Sequence, residues 1–198
     1  LRYPSPQHTW SAWKSWTANL ATSRWIPFSD PLADGPIIQE SSQVALKNGV
    51  TLSWILETVS KIREKSEIPI ALMGYINPIL KYGIDKFLLD CKKSGVDGLI
   101  IVDLQPEEDS ELSIAIQSTE LDLIRLITPT TNTKRLSTIL EYSSGFLYYV
   151  TITGITGQHS ANIEELKKSL NIVKKNTKLP IVSGFGIKNA KQVREVCQ

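Results

Sequence analysis

The chain has 198 residues, of which 41% are hydrophobic and 21% are charged, and its formal net charge is +2 at pH 7. This length and composition suit one globular domain with one buried core. The small net charge excludes an extended basic surface for nucleic acid, and the lack of a long apolar run excludes a membrane span. Two cysteines without metal-ligand spacing, Cys91 and Cys197, exclude a disulfide framework and favour a reducing compartment.

Short apolar runs alternate with amphipathic stretches from residue 36 onward. Apolar residues at helical spacing predict the helices, with Thr51 suited to cap the second and Gly95 to end the third. Continuous apolar runs between helices predict strands covered on both faces, and Asn77-Pro78 predicts a loop after the first of them. The predicted helices are 37–48, 51–65, 84–94, 107–118, 132–142, 161–174 and 188–196, and the predicted strands are 68–73, 99–102, 122–127, 146–151 and 180–182.

The alternation of strands and helices predicts an α/β fold with a parallel sheet. Units of this regular length close into a (β/α)₈ barrel or open into a doubly wound sheet. No Gly-x-Gly-x-x-Gly pattern follows the first predicted strand, which disfavours a dinucleotide-binding domain. In a barrel, functional side chains lie on the loops that follow the carboxyl ends of the strands.

Residues 27–36 form an unusual loop ahead of the first helix, with the sequence P-F-S-D-P-L-A-D-G-P. Asp30 and Asp34 stand there among three prolines and a glycine. Asp-Pro and Asp-Gly are ordinary turn signals, so turn chemistry alone accounts for the pattern. The alternative is that one carboxylate is held still for catalysis.

Two glycine-rich turns follow the last two predicted strands, at residues 153–157 and 183–186. Glycine lets backbone N–H groups approach an anion, and a following helix adds the positive end of its dipole. Late turns of this kind hold phosphate in many (β/α)₈ barrels. Tight strand-to-helix turns also need glycine, but the two turns together favour a phosphate site.

Five motifs occur in a fixed order along the chain: P-F-S-D-P-L-A-D-G-P-I-I-Q, M-G-Y-I-N-P-I-L, G-V-D-G-L-I-I-V-D-L, G-F-L-Y-Y-V-T-I-T-G-I-T-G and P-I-V-S-G-F-G-I. Through them the sequence resembles the tryptophan synthase alpha chain family over roughly residues 26–198. The resemblance implies a (β/α)₈ barrel that cleaves indole-3-glycerol phosphate to indole and glyceraldehyde 3-phosphate without a cofactor of its own. It also implies an α₂β₂ heterotetramer with a β subunit that carries pyridoxal phosphate.

The resemblance also implies roles for individual residues. Asp34 matches the catalytic acid that accepts the indole N–H, where a fixed carboxylate stabilises the positive charge that develops on the ring. No metal ligand is implied. The other matching positions are Ile38, Tyr75, Tyr148 and Thr156 for substrate binding, Gly157, Gly184, Phe185 and Gly186 for phosphate binding, and Pro27, Asp30 and Pro31 for the partner interface.

Residues 1–25 depart from the family pattern. Ser23 stands where the family has a second catalytic acid, a glutamate, and a serine cannot move protons at neutral pH without a base beside it. The segment has no Asp or Glu but holds Trp10, Trp13, Trp16 and Trp25. We interpret it as an atypical N-terminal segment, explained by a reading-frame shift upstream of residue 26, with a tryptophan-lined docking helix as the alternative.

Residues 26–198 are then a partial barrel domain, and an eighth strand is expected after Gln198. The leading prediction is a tryptophan synthase alpha chain in the cytoplasm, with a plastid stroma as the alternative location. A second prediction is a catalytically impaired fragment or a non-catalytic partner that binds and regulates the β subunit. A different phosphate-binding barrel is disfavoured, because other such enzymes lack the loop at residues 27–36.

Overall fold

The computed structural model of the chain describes residues 22–107, 111–150 and 163–184. In these ranges, strands and helices alternate along the chain, with all strand pairs parallel. The elements are β1 (Thr22–Trp25), α1 (Pro36–Lys47), α2 (Leu52–Arg63), β2 (Ile70–Gly74), α3 (Ile76–Tyr82), α4 (Ile84–Ser94), β3 (Gly98–Ile101), α5 (Glu111–Gln117), β4 (Asp122–Leu123), β5 (Arg125–Ile127), α6 (Thr133–Glu141), β6 (Leu147–Val150), α7 (Ile163–Asn176) and β7 (Ile181–Gly184).

The strands pair in chain order, as β1-β2-β3-β4 and β5-β6-β7. Residues 122–127 join the two groups, because Leu123 pairs with Leu99 of β3 and Leu126 pairs with Tyr148 of β6. A doubly wound sheet would reverse its strand order at a switch point, whereas a (β/α)₈ barrel keeps the chain order. The described strands therefore form an arc of a barrel, as predicted.

Alternate residues of the strands that follow β1 face two different apolar layers. Ile70 and Leu72 of β2 pack with α2 and α4 in an outer layer, whereas Ala71 and Met73 pack in an inner one. This alternation follows from the two-residue period of a strand. The inner layer is formed by residues in or next to β2, β3, β5, β6 and β7. Its buried members are Ala71, Met73, Ile100, Ile124 and Phe146, and the partly buried residues packed against them are Val102, Leu126, Tyr148 and Val182.

Local capping chemistry sets several helix ends where the sequence predicts them. The Thr51 hydroxyl accepts a hydrogen bond from the Trp54 N–H at 3.2 Å, which caps α2. Helix α4 has the predicted bounds and ends at Gly95, which adopts a left-handed conformation with φ of 84°. Asn132 caps α6 in the same way as Thr51 caps α2, through the Arg135 N–H.

The predicted loop at Asn77-Pro78 is wrong, because helix α3 occupies Ile76–Tyr82. Pro78 lies in the first turn of this helix, where a residue needs no intrahelical N–H donor. The Asp103 side chain accepts a hydrogen bond from the Ile76 N–H at 2.9 Å and so stabilises the start of the helix.

Two strands also differ from the prediction. The predicted strand 122–127 is divided into β4 and β5, since the ladder changes its pairing partner at Ile124. Strand β1 lies ahead of the first predicted strand and extends the sheet by pairing with β2. Among the described residues, no helix combines the length and apolar character needed to cross a membrane.

Candidate active site

The loop 27–36 starts at the carboxyl end of β1 and is tied to β2. Ile26 is buried, and its N–H donates to the Met73 carbonyl at 2.8 Å. The loop then turns on itself, because the Asp34 N–H donates to the Pro31 carbonyl at 3.0 Å. The turn chemistry expected from Asp-Pro and Asp-Gly is thus present. Turn formation is not the whole role of Asp34, since its side chain has a hydrogen-bond partner outside the loop.

That partner is Tyr75, the residue that follows β2. The Tyr75 hydroxyl donates to Asp34 Oδ2 at 3.0 Å and accepts a hydrogen bond from the Ala33 N–H at 3.0 Å. Tyr75 is only 4% exposed, and the Phe28 ring lies against it with a centroid separation of 5.3 Å. Two residues that are 41 positions apart in sequence thus meet at the carboxyl ends of the strands.

The surroundings of this pair change the acidity of both groups. Burial raises the pKa of Asp34 above its usual value, and the hydrogen bond from Tyr75 offsets part of the rise. Burial and the neighbouring Asp34 carboxylate raise the pKa of Tyr75 to about 12. The tyrosine therefore remains a hydrogen-bond donor at neutral pH, when the carboxylate is its acceptor.

The ladder places position 23 beside the inner layer. Ser23 pairs in register with Ala71, whose side chain belongs to that layer, and Ala71 pairs with Gly98 of β3. Residues that pair directly in a parallel ladder share one face of the sheet. The register therefore sets the backbone of position 23 beside Ala71, two residues before the end of β1.

Tyr148 lies on the same inner face from the other side of the arc. It pairs with Leu126 and Val182 in register and packs against the inner layer, and burial raises its pKa. The next residue, Tyr149, is buried in the outer layer against α6 and α7 instead. Of the two tyrosines in the Leu-Tyr-Tyr-Val strand, Tyr148 thus faces the inner layer and Tyr149 the outer one, and the substrate contact of Tyr148 stays a prediction.

A family model described as "Tryptophan synthase alpha chain" matches residues 21–198. The chain belongs to the tryptophan synthase alpha chain family. The match begins six residues before the first motif seen in the sequence and includes β1.

Relatives with this name share half of their aligned residues with the chain. The tryptophan synthase alpha chain of Geobacter sp. (strain M21) is 50% identical over 173 residues, which are 87% of this chain and 65% of that protein. The tryptophan synthase alpha chain of Citrifermentans bemidjiense has the same identity and coverage. The chain therefore spans slightly less than two thirds of the length of these curated relatives.

Solved structures of tryptophan synthase alpha chains have the same fold. The alpha subunit from Legionella pneumophila str. Paris superposes with a TM-score of 0.82 and 36% identity, over 98% of this chain and 72% of that chain. A chain of the tryptophan synthase α₂β₂ complex from Pyrococcus furiosus superposes with a TM-score of 0.82 and 34% identity, over 98% of this chain and 78% of that one. The predicted fold class and family are both confirmed.

Several site residues predicted from the alpha-chain resemblance lie outside the described residues, namely Thr156, Gly157, Phe185 and Gly186. Gly184 is the last residue of β7 and pairs with Val150 of β6. Ile38 is half-buried in the first turn of α1, where its N–H donates to the Gly35 carbonyl at 3.0 Å. The roles of all these residues stay predictions.

The partner-facing residues predicted for an alpha chain lie on the same loop as Asp34. Pro27 is half-buried, Asp30 is exposed and Pro31 is buried. Asp30 and Pro31 line a groove of about 440 Å³ between the loop and α1, and Asp34 is not among the lining residues. The rest of the lining is Ser29, Leu32, Pro36, Gln39, Glu40 and Gln43.

Two glutamines of α1 bond to the main chain of the loop 27–36, although no motif in the sequence marks them. Gln39 Nε2 donates to the Asp34 carbonyl at 2.9 Å, and Gln43 Nε2 donates to the Ser29 carbonyl at 3.2 Å. Their i, i+4 spacing places both amides on one face of the helix, and that spacing is the signal that could have identified them. Within residues 22–107, 111–150 and 163–184, no three His, Cys, Asp or Glu side chains are grouped closely enough to hold a metal ion.

Proposed function

We propose that the chain carries the alpha-subunit site of tryptophan synthase, a lyase that cleaves indole-3-glycerol phosphate to indole and glyceraldehyde 3-phosphate. The observation that supports this most directly is the half-buried Asp34 carboxylate, which Tyr75 holds at the carboxyl ends of the strands. Membership of the family supplies the reaction class. In a (β/α)₈ barrel these strand ends are the usual place for catalysis.

The proposed reaction is an aldol-type cleavage. The indole ring accepts a proton at the carbon that bears the side chain, and the adjacent side-chain hydroxyl loses a proton and becomes the aldehyde carbonyl. The electron pair of the broken carbon–carbon bond returns to the ring. Positive charge develops at the ring nitrogen when the ring is protonated, and the ionised Asp34 accepts the indole N–H and stabilises that charge.

Substrate binding and assembly complete the proposal. Ile38, Tyr75, Tyr148 and Thr156 contact the substrate, and Gly157, Gly184, Phe185 and Gly186 hold its phosphate through backbone N–H groups. The chain uses no cofactor, since both proton transfers need only side chains. It assembles as α₂β₂ with a pyridoxal-phosphate β subunit, and its similarity to a chain of the α₂β₂ complex of Pyrococcus furiosus supports this assembly. The family resemblance assigns the contact to the loop at Pro27, Asp30 and Pro31. It acts in the cytoplasm or a plastid stroma.

Serine at position 23 makes the proposed reaction slow. The reaction needs one group to deliver the proton to the ring and to remove the hydroxyl proton, and the resemblance assigns this role to a glutamate at position 23. The pairing of position 23 with Ala71 in the ladder supports this assignment, because Ala71 belongs to the inner layer. The proposal is an alpha-chain site with one of its two acids replaced.

Indole release from indole-3-glycerol phosphate tests this proposal in the chain itself and in Ser23→Glu. Since a positioned acid and base contributes about 10²- to 10⁴-fold, we expect Ser23→Glu to raise the rate by about 100-fold or more. Asp34→Asn added to Ser23→Glu should return the rate to background. Ser29→Glu is the matched control, because it adds the same carboxylate at an exposed position of the loop.

Two results would contradict the proposal. If Ser23→Glu binds the substrate but releases indole no faster than Ser29→Glu, position 23 is not the acid–base position. If the chain accelerates tryptophan formation by an added β subunit while Ser23→Glu still releases no indole, a non-catalytic regulatory role replaces the lyase. Serine at position 23 is the observation that favours this second function.

A further inference from the structure

The Asp34 segment is held from two sides by side chains that lie outside the loop. From the turn between β2 and α3, the Tyr75 hydroxyl contacts both the Asp34 carboxylate and the Ala33 N–H. From α1, the Gln39 amide donates to the Asp34 main-chain carbonyl at 2.9 Å. Side-chain and main-chain oxygens of one residue are therefore fixed by two different elements of the fold.

We propose that Tyr75 and Gln39 are positioning residues that fix the Asp34 carboxylate, with Oδ2 bound by Tyr75 and Oδ1 presented to the N–H group of the ligand. The inference rests on the proposed function, because it takes the indole N–H as the group that Asp34 accepts. It assigns to Tyr75 a role besides its predicted contact with substrate, and to Gln39 a role that the family resemblance does not supply.

The direction of the Tyr75 hydroxyl proton follows from its hydrogen bonds. A phenol oxygen has one proton to donate. The Ala33 N–H donates to this oxygen, so the phenol proton is available for the Asp34 carboxylate, which can only accept. Both bonds are 3.0 Å long, and together they fix the loop backbone and the carboxylate relative to one ring. A hydrogen bond to an ionised group is stronger than one between neutral groups.

The ring itself is held in place before any ligand binds. Tyr75 is the N-cap residue of α3, and the next N–H, that of Ile76, donates to Asp103 Oδ1 at 2.9 Å. Phe28 covers the ring from the loop side. A group fixed in this way contributes to binding and catalysis without the cost of ordering it when the ligand arrives.

The same contacts predict how Asp34 titrates. Burial raises the pKa of Asp34, and the Tyr75 bond lowers it because the bond favours the ionised form. Among the described residues, the second charged group that acts on the pKa of Tyr75 is Asp103, two residues after the end of β3. Removing the hydroxyl leaves burial uncompensated, so the pKa of Asp34 must rise.

Three variants separate positioning from general loop stability. Tyr75→Phe removes the hydroxyl and keeps the ring against Phe28. Gln39→Met removes the amide that holds Asp34, and Gln43→Met is its matched control, since it removes the equivalent amide one helical turn later, on Ser29. None of the three changes the net charge, and the unfolding midpoint of each identifies any variant that fails to fold.

Two measurements are made on each variant. Carbon-13 NMR titration of the aspartate carboxyl groups gives the pKa of Asp34, and the dissociation constant for indole-3-glycerol phosphate gives the affinity. The Asp34 signal is identified as the one missing in Asp34→Asn. In Tyr75→Phe we expect the pKa of Asp34 to rise above its value in the unsubstituted chain. We expect affinity to fall about tenfold in Tyr75→Phe, severalfold in Gln39→Met, and not in Gln43→Met.

The outcomes distinguish this inference from the proposed function. If Tyr75→Phe leaves the pKa of Asp34 unchanged, or if Gln39→Met binds the substrate as well as Gln43→Met does, the positioning role is overturned. If the unsubstituted chain fails to bind indole-3-glycerol phosphate, the proposed function fails. The pKa of Asp34 in Tyr75→Phe then decides by itself whether Tyr75 holds the carboxylate.

Discussion

Gly74, the last residue of β2, shows how one missing side chain positions the loop that carries Asp34. A Cβ atom at position 74 would lie 2.8 Å from Ile26 Cβ, which is closer than van der Waals contact allows. Ile26 is the last residue before the loop and is buried against β2. The start of the loop can therefore approach the strand only because residue 74 is glycine.

Gly74→Ala is expected to displace Ile26 and the loop with it. Overpacking of a well-packed site costs about 1–3 kcal/mol, so the free energy of unfolding should fall by this amount in urea denaturation. The affinity for indole-3-glycerol phosphate should fall as well, because Asp34 moves with the loop. Gly35→Ala is the control, since a Cβ atom there has no neighbour within 4 Å. Equal stability of the two variants would contradict the expected displacement.

At the scale of elements, Arg63 joins the end of α2 to the amino-terminal ends of β2 and β3. Its Nε donates to the Gly95 carbonyl at 2.7 Å, and its guanidinium also contacts the Ile68 carbonyl and the Asp97 carboxylate. Asp97 Oδ2 accepts the Ile70 N–H at 2.7 Å. This cluster is at the opposite end of the strands from Asp34, where side chains of a (β/α)₈ barrel serve stability.

Arg63→Ala should lower the free energy of unfolding by about 2 kcal/mol, because it leaves the largely buried Asp97 carboxylate and several carbonyls without their donor. The side chains of Arg63 and Asp97 are 18% and 25% exposed, so solvent screens the pair only in part. Lys61→Ala is the matched control, since it breaks the exposed Glu57–Lys61 pair on the same helix. The prediction is wrong if the urea midpoints of the two variants agree.

Local chemistry made many of the elements predictable, and distant contacts explain the failures. Thr51 and Gly95 set helix ends through bonds within a few residues, and the sequence shows both. Helix α3 depends on Asp103, which is 27 residues from Ile76, so a local pattern suggested a loop instead. In the sequence, Gln39 and Gln43 look like ordinary surface residues of a helix, because their hydrogen bonds to the loop are seen only in the structure. The sequence shows the motif that contains Asp34, but it does not show that Tyr75 donates a hydrogen bond to this residue.

At the scale of the whole molecule, the outer apolar layer protects the Cys91 thiol. Cys91 on α4 is fully buried among Phe87, Leu88 and the strands, and burial raises the pKa of its thiol. Both burial and the low thiolate fraction reduce its reactivity. Its modification therefore requires the layer to open.

In Cys197→Ser, which leaves Cys91 as the remaining cysteine, the native thiol should react with Ellman's reagent at least about 10³-fold more slowly than in urea. Leu89→Cys in the same background supplies the control, because position 89 is exposed on the same helix. The thiol introduced at position 89 should react at once. The Cys91 thiol should react only as fast as the chain unfolds, or in proportion to the fraction of chains that are unfolded. Rapid reaction of Cys91 in the native chain would show that α4 opens without global unfolding.

The change of pairing partner at Ile124 has a consequence for the distance between the two groups of strands. The strands before this residue carry Asp34 and Tyr75, and the strands after it carry Tyr148 and Gly184. Ile124 is fully buried, and its N–H is bonded to Leu99 of β3. Ile124 packs in the inner layer with residues of both groups, so a substitution that changes its volume should change the distance between the proposed acid and the proposed phosphate-binding residues.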